Sequence, residues 1–80
     1  MQLQLHGLRM LPAGKQYQAW MILPGKSPTA EPVFSPASNG QGLVRFSGAS
    51  VKGTLIAVTV EPAGGSSQPT SKPLLVAQID

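Results

Sequence analysis

The chain has 80 residues, no cysteine and a formal net charge of +3, from six lysines and arginines against three acidic residues. This length allows one small domain, which we expect to span residues 1–80. Without cysteine, the chain has neither disulfides nor zinc–thiolate sites. The basic residues are spaced singly, without interleaved aromatic side chains, so the sequence lacks the charge cluster of a nucleic-acid groove.

The sequence contains no segment that predicts a membrane helix. No apolar run reaches the roughly 18–20 residues that a spanning helix needs. The first residues, MQLQLHGLRM, lack the charged start and the continuous apolar core of a signal peptide. We therefore expect either a soluble chain or a piece of a longer protein whose targeting segment lies elsewhere.

The first half of the chain alternates polar and apolar residues with a period of two, which is typical of strands. In QLQLH, Leu3 and Leu5 face one way. Residues 16–23, QYQAWMIL, predict a second strand that is apolar on both faces, and therefore a central strand covered on both sides. Residues 26–32 predict a loop, because the two prolines there lack the N–H that a strand ladder needs. A short strand is expected at residues 33–34.

The second half begins with Asn39-Gly40, a dipeptide that predicts a hairpin turn with positive φ, followed by a return strand over residues 43–46. Residues 47–53 predict a loop. Residues 55–61, LIAVTVE, are the strongest strand signal, and residues 74–79 predict the last strand. No long stretch free of Gly and Pro has a helical period. The sequence therefore predicts an all-β fold, a small antiparallel β-sandwich of about six to seven short strands with essentially no helix.

The residues that an enzyme would need are missing. His6, the single histidine, lies on the polar side of the first strand, and one histidine with three scattered acids forms neither a triad nor a metal site. Nothing places Glu31 opposite Glu61 as a glycosidase pair would require. The pair Gly64-Gly65 is not followed by the helix of a phosphate-binding loop. We predict a non-enzymatic domain without catalytic residues, cofactor or metal.

The two largest aromatic residues point to opposite sides of one strand. Tyr17 and Trp20 have opposite parity, so we expect one ring in the core and the other against a loop or at the surface. A ring at the surface would suit a carbohydrate- or cell-wall-binding module, in which it stacks on a sugar. This binding module is the alternative to the regulatory function discussed below.

Two sequence blocks resemble one protein family. The first is LPAGKQYQAW, followed by MILPGKSP, and the second is VTVEPAGGSSQPTSKPLLVAQI. Together they resemble the C-terminal extracytoplasmic domain of the anti-sigma-K factor RskA family, over residues 8–79. That family has an LPAGK-x-YQ-x-W block before a V-T-x-EPAGGS-x-x-PT block, the order found here. The signature residues, to which we assign structural roles, are Tyr17, Gln18, Trp20, Glu61, Pro62, Gly64, Gly65, Pro69 and Thr70.

The resemblance implies a function. Such proteins are single-span bacterial membrane proteins whose cytoplasmic part holds an extracytoplasmic-function sigma factor inactive, until regulated proteolysis on the outer side releases it. The present chain would be the outer, sensory domain of a longer membrane protein, on the extracytoplasmic side of the membrane. The implied partners are a sigma factor, bound by a part of the protein not present here, and a membrane or extracytoplasmic protease. No nucleic-acid partner is expected.

The chain departs from the family at its start. Family domains carry further strand-forming residues before the segment that matches Gly7–Leu11, whereas this chain has the single short strand QLQL. A homologue or piece that lacks an N-terminal strand would leave an unpaired sheet edge. Because such edges pair with other chains, we expect self-association through this edge.

The sequence predicts a tight turn directly after the strand of residues 55–61. Pro62 ends the strand ladder because it lacks an N–H. Gly64 and Gly65 supply the positive φ values of a turn that leads to the last strand. The carboxylate of Glu61 is expected to accept backbone N–H groups of its own loop, which makes its role structural.

Overall fold

The computed structural model describes residues 2–46 and 52–78, which form six strands in two antiparallel sheets and contain no helix. The strands are β1 (Gln2–Leu5), β2 (Lys15–Ile22), β3 (Thr29–Phe34), β4 (Gly42–Arg45), β5 (Leu55–Pro62) and β6 (Leu75–Gln78). One sheet has the order β1-β4 and the other β3-β2-β5-β6. The predicted all-β sandwich is confirmed.

The centre of the larger sheet is the pair β2 and β5. These strands pair along their full length, from Lys15 opposite Pro62 to Ile22 opposite Leu55. The prediction that β2 is central is confirmed, since it lies between β3 and β5 and is buried from Tyr17 to Met21. Burial on both faces follows because the core covers one face and the segment after β5 covers the other.

The core lies between the two sheets. Ala19, Met21 and Ile56 of the larger sheet pack with Val44 and Phe46. A second cluster beside it contains Leu5 of β1, Tyr17 of β2 and Val58 of β5.

The ring of Tyr17 stacks on that of Phe34, with 5.6 Å between their centroids. Each large apolar side chain buried here contributes about 1.5–3 kcal/mol to folding. Because the core is small, interactions outside it matter for the stability of the domain.

The loop predicted over residues 26–32 is partly wrong, because β3 begins at Thr29 and includes Pro32. Gln18 pairs with Val33 whereas Trp20 pairs with Ala30, so two residues of β3 stand opposite one residue of β2. This bulge lies on a strand at the edge of the sheet. A bulge on an edge strand tolerates the missing N–H of a proline.

The hairpin predicted around Asn39-Gly40 is also wrong. β4 pairs with β1 rather than with β3, so the connection crosses from one sheet to the other. Gly40 has a φ of 83°, and Asn39 does not take a positive φ. The N–H of Leu8 donates to the carbonyl of Gly40, and a Cβ at Gly40 would lie 3.0 Å from the Leu8 carbonyl oxygen. Leu8 and Gly40 are far apart in sequence, and their close backbone contact holds the connection where it passes from one sheet to the other.

The last strand differs from the others in burial. All four residues of β6 are exposed, although β6 pairs with β5 from Val58 opposite Leu75 to Leu55 opposite Gln78. The predicted strand extended to residue 79, which lies outside the described residues. Of the predicted loop over 47–53, only residues 52–53 are described.

Candidate functional site

The most distinctive feature of the domain is a buried polar cluster on the face of the larger sheet that points away from the core. In the pairing of β2 with β5, Gln18 stands opposite Thr59 and Gln16 stands opposite Glu61, so the four side chains share this face. Gln18, Thr59 and Glu61 are all buried. The residues between β5 and β6, 63–74, lie against this face through hydrogen bonds described below, and we call them the strap.

The side chain of Glu61 is the centre of a hydrogen-bond network. Trp20 Nε1 donates to Thr59 Oγ1 at 2.8 Å, and the Thr59 hydroxyl donates to Glu61 Oε2. On the other side, the Thr70 hydroxyl donates to Glu61 Oε1. The backbone N–H of Thr70 lies 3.2 Å from Oε1 and 3.1 Å from Oε2. We call these four residues the Glu61 network, and it connects two strands of the sheet to the strap.

The donor and acceptor roles in this network agree with each other. A threonine hydroxyl has one hydrogen to donate, and an indole can only donate. Thr59 therefore accepts from Trp20 and gives its own hydrogen to the carboxylate. Since a buried polar group without a partner costs about 1–3 kcal/mol, the network allows the indole, the hydroxyl and the carboxylate to be buried together.

The network also determines the ionisation of Glu61. Burial removes water from the carboxylate and by itself raises its pKa, but the hydrogen bonds from the Thr59 hydroxyl and from the hydroxyl and N–H of Thr70 favour the charged form. Together these donors hold the pKa of Glu61 below its ordinary value. At neutral pH the site therefore contains a carboxylate anion whose charge is spread over several donors.

Two glutamines of β2 form a second set of contacts with the strap. Gln18 Oε1 accepts the N–H of Ser66 at 2.9 Å, and its Nε2 donates to the carbonyls of Ser66 and Glu31, at 3.2 and 3.3 Å. Gln16 Oε1 accepts the N–H of Gly64 at 2.9 Å. The amide of Gln18 thus joins the strap to the bulge of β3.

The two glycines of the strap have the predicted backbone geometry. Gly64 and Gly65 have φ values of 90° and 92°, which favour glycine. A Cβ at Gly64 would meet open space, whereas one at Gly65 would lie 2.8 Å from Val33 Cγ1 and 3.2 Å from Gln18 Oε1. Gly64 is therefore needed for its φ alone, and Gly65 is needed for its φ and for close packing.

The strap does not offer an anion-binding loop at its glycines. The N–H groups of Ala63 and Gly65 donate to the carbonyls of Gly14 and Pro62, at 2.8 and 2.9 Å. The N–H of Gly64 donates to Gln16 Oε1, and the N–H of Ser66 donates to Gln18 Oε1. Since each N–H from 63 to 66 already has an internal acceptor, a phosphate would find none of them free. Within residues 2–46 and 52–78, no group of three or more His, Asp or Glu side chains is placed to hold a metal.

The structure separates the signature residues into two groups. Gln18, Trp20, Glu61 and Thr70 meet at the polar face together with the glycine turn, and Pro62 is the last residue of β5. Tyr17 lies on the opposite face, where its hydroxyl donates to the Arg9 carbonyl at 2.8 Å. Pro69 is exposed in the strap, one residue before the threonine that contacts Glu61.

Sequence reasoning missed two members of the cluster, Thr59 and Gln16. Both had a readable signal, because side chains two residues apart on a strand share a face. Thr59 precedes Glu61 by two residues, and Gln16 precedes Gln18 by two. Polar residues in this pattern on strands that are otherwise apolar indicate a buried polar cluster.

The aromatic side chains do not form a sugar-binding platform. Trp20 has no accessible surface, and Tyr17 has 1% of its surface accessible. The prediction that one ring lies in the core and the other against a loop or at the surface is confirmed for Tyr17, which lies in the core; Trp20 is also fully buried, and its indole N–H donates to Thr59 of the neighbouring strand β5. The alternative prediction, that one of these two rings stacks on a sugar, is wrong, because a ring without accessible surface cannot contact a ligand.

The model of the family described as anti-sigma-K factor RskA, C-terminal, matches residues 1–74. The chain belongs to this family. Neither a curated protein nor a solved structure matches the chain significantly. The RskA match includes all four residues of the Glu61 network and ends just before β6.

Membership of the RskA family connects the chain with the regulation of sigma factors. Anti-sigma factors act on sigma factors, so the family is a regulatory one. The described residues contain no helix with the length and apolar character that a membrane crossing requires.

Proposed function

We propose that this domain is the extracytoplasmic sensory domain of a single-span RskA-like anti-sigma factor, and that its folding controls regulated proteolysis of the whole protein. The family match supports the regulatory role. The observation that supports the mechanism is the strap, which is held to the sheet by one buried carboxylate and two amide side chains. In this proposal the chain is one domain of a longer membrane protein.

The proposed mechanism is protection by folding. Proteases act on segments that are extended and accessible, so a folded domain next to a cleavage site protects it. β1 holds the start of the chain in the fold, because it pairs with β4 and places Leu5 in the core. We infer that the folded domain shields the membrane-proximal segment, and that a signal which opens the domain admits an outer protease.

The polar attachment of the strap suits this mechanism. Segments held by a few hydrogen bonds open at a lower free energy than core strands. A change of 1–2 kcal/mol in such an opening changes the open population about five- to thirtyfold. Modest binding energy from a signal would therefore be enough to change the rate of cleavage.

The experiment that tests this proposal uses the full-length protein in its membrane. We expect Glu61→Gln to increase the rate of outer cleavage about fivefold or more, since it weakens the hold on the strap. Glu31→Gln makes the same change of charge outside the Glu61 network and is expected to leave cleavage unchanged. Deletion of the domain should make cleavage constitutive. Cleavage that is unaffected by the deletion would overturn the protective role.

A further inference from the structure

The two edges of the larger sheet are built differently. At one edge, β3 is interrupted by its bulge and contains Pro32, features that prevent a further strand from pairing. At the other edge, β6 pairs with β5 on one side, and no described strand lies on its other side. The edge at β6 has neither a proline nor a bulge within it.

The side chains of β6 are also unusual for an exposed strand. Leu74, Leu75 and Val76 are 62%, 38% and 53% exposed, and residues 75–78 include no charged side chain. Leu75 stands opposite Val58 and Val76 opposite Ala57, so each face of β6 presents an apolar side chain. Natural proteins usually protect an edge strand with charge, proline or a covering segment.

We propose that two copies of this chain associate through β6, with the two β6 strands antiparallel about a twofold axis. The four-stranded sheets of both copies then form one continuous sheet. This inference rests on the sheet edge and is independent of the proposed role in proteolysis. Antiparallel pairing of identical strands is compatible with a twofold axis, which is the commonest symmetry of protein dimers.

The sequence of β6 favours a second copy as the occupant. With the axis at Val76, Leu75 lies opposite Ala77 of the second copy, and Leu74 lies opposite Gln78 of the second copy. Apolar side chains then meet across the axis on both faces of the sheet, without a like-charge pair in the strand itself.

The charge of the chain gives this association a recognisable salt dependence. Each copy has a net charge of +3, so two copies repel each other at long range. Because β6 has no charged side chain, the electrostatic repulsion between the two copies is lower when they approach through this edge. Because salt screens this repulsion while apolar contacts and backbone hydrogen bonds persist, association should strengthen as salt rises from about 10 mM to about 150 mM.

The proposed edge differs from the one predicted by sequence. That prediction placed self-association beside the first strand. In the structure, β1 directs Leu3 and Leu5 to the core and leaves Gln2 and Gln4 exposed. The edge at β6 presents three consecutive exposed apolar side chains, residues 74–76, and it is the edge on which the proposal depends.

A cysteine cross-link tests the geometry, since the natural chain contains no cysteine. Directly opposed residues of antiparallel strands are close enough for a disulfide. We expect Val76→Cys to form a disulfide-linked dimer under mild oxidation. The control is Leu43→Cys, at a strand residue of similar exposure, 48%, on β4. Equal cross-linking of the two variants, or none for Val76→Cys, would overturn the proposal.

Sedimentation equilibrium tests the association itself. A short strand pair buries less area than a standard interface, so the dissociation constant should lie at about 10 µM to 1 mM. We expect Val76→Lys to raise it about tenfold or more, because two like charges would face each other across the axis, and Leu43→Lys to leave it nearly unchanged. A natural chain that stays monomeric throughout this range would contradict the proposal, as would equal effects of the two lysines. Cleavage of the full-length protein is a separate readout, so the two proposals can fail independently.

Discussion

Glu61 combines full burial with a negative charge, and the residues around it explain how this is possible. Its two oxygens accept the hydroxyls of Thr59 and Thr70 and the N–H of Thr70. Hydrogen bonds to a charged acceptor are about twice as strong as those between neutral groups. The charge is therefore held by donors on the sheet and on the strap at once, so a change at this residue affects both.

The first prediction concerns the loss of this charge. We expect Glu61→Gln to lower the free energy of unfolding by about 1–3 kcal/mol, because an amide replaces one acceptor oxygen with a donor that faces hydroxyl and N–H groups. Urea unfolding followed by the fluorescence of Trp20 measures this. The matched control, Glu31→Gln, should change stability by about 0.5 kcal/mol or less. If both variants lowered the free energy of unfolding by a similar amount, the Glu61 network would not contribute more to stability than the carboxylate of Glu31.

The second prediction concerns pH. The pKa of Glu61 is lower in the folded state than in the unfolded chain, so its stabilising effect is complete above the unfolded value and is lost as the pH falls through the folded value. We expect stability to begin to fall below about pH 4.3, the ordinary pKa of a glutamate, and to continue to fall at lower pH. Glu61→Gln should have a flatter acid profile. Parallel profiles of the two proteins between pH 6 and pH 2 would count against a stabilising carboxylate.

At the scale of elements, the strands and turns differ in how far sequence predicts them. The period-two pattern places β1, β2 and β5 to within one residue at most ends, because their alternation reflects burial of one face or both. The positive φ of Gly64 and Gly65 was also predictable, since a proline and a glycine pair end a strand in a few known ways.

Other elements depend on contacts that a local pattern does not contain. β3 begins earlier than predicted because its edge position and bulge tolerate Pro32. β4 pairs with β1 because the backbone of Gly40 packs on Leu8, a contact between distant parts of the chain. The acceptance of a loop N–H by Glu61 was predicted, but its hydroxyl partners depend on how the strap folds back over the sheet.

The third prediction separates the two glycines of the strap. Both have positive φ, so an alanine at either position should cost about 1–2 kcal/mol of stability. Gly65→Ala should cost more than Gly64→Ala, because its Cβ would also meet Val33 and Gln18, whereas Gly64 faces open space. Thermal or urea unfolding of the two variants measures the difference. Equal losses would mean that the strap does not pack closely on β2 and β3.

At the scale of the whole molecule, the domain has a small apolar core on one face of its main sheet and a polar attachment on the other. The two core clusters contain side chains from both sheets and hold the sheets together. The strap, in contrast, is attached to the four-stranded sheet by the Glu61 network and by two glutamines. These two parts differ in what holds them, so we expect them to open at different free energies. A signal that acts on the strap would therefore act on the part of the domain that opens at the lower free energy.

Native-state hydrogen exchange of the natural domain, followed residue by residue at increasing low concentrations of urea, measures this difference directly. We expect the N–H groups of Gly64, Ser66 and Thr70 to exchange through a local opening, with a lower free energy than those of β2 and β5 and with little dependence on urea. The N–H groups of β2 and β5 should exchange through global unfolding. If the strap and the two central strands show the same free energy and the same urea dependence, the strap opens only when the whole domain unfolds, and the account is contradicted.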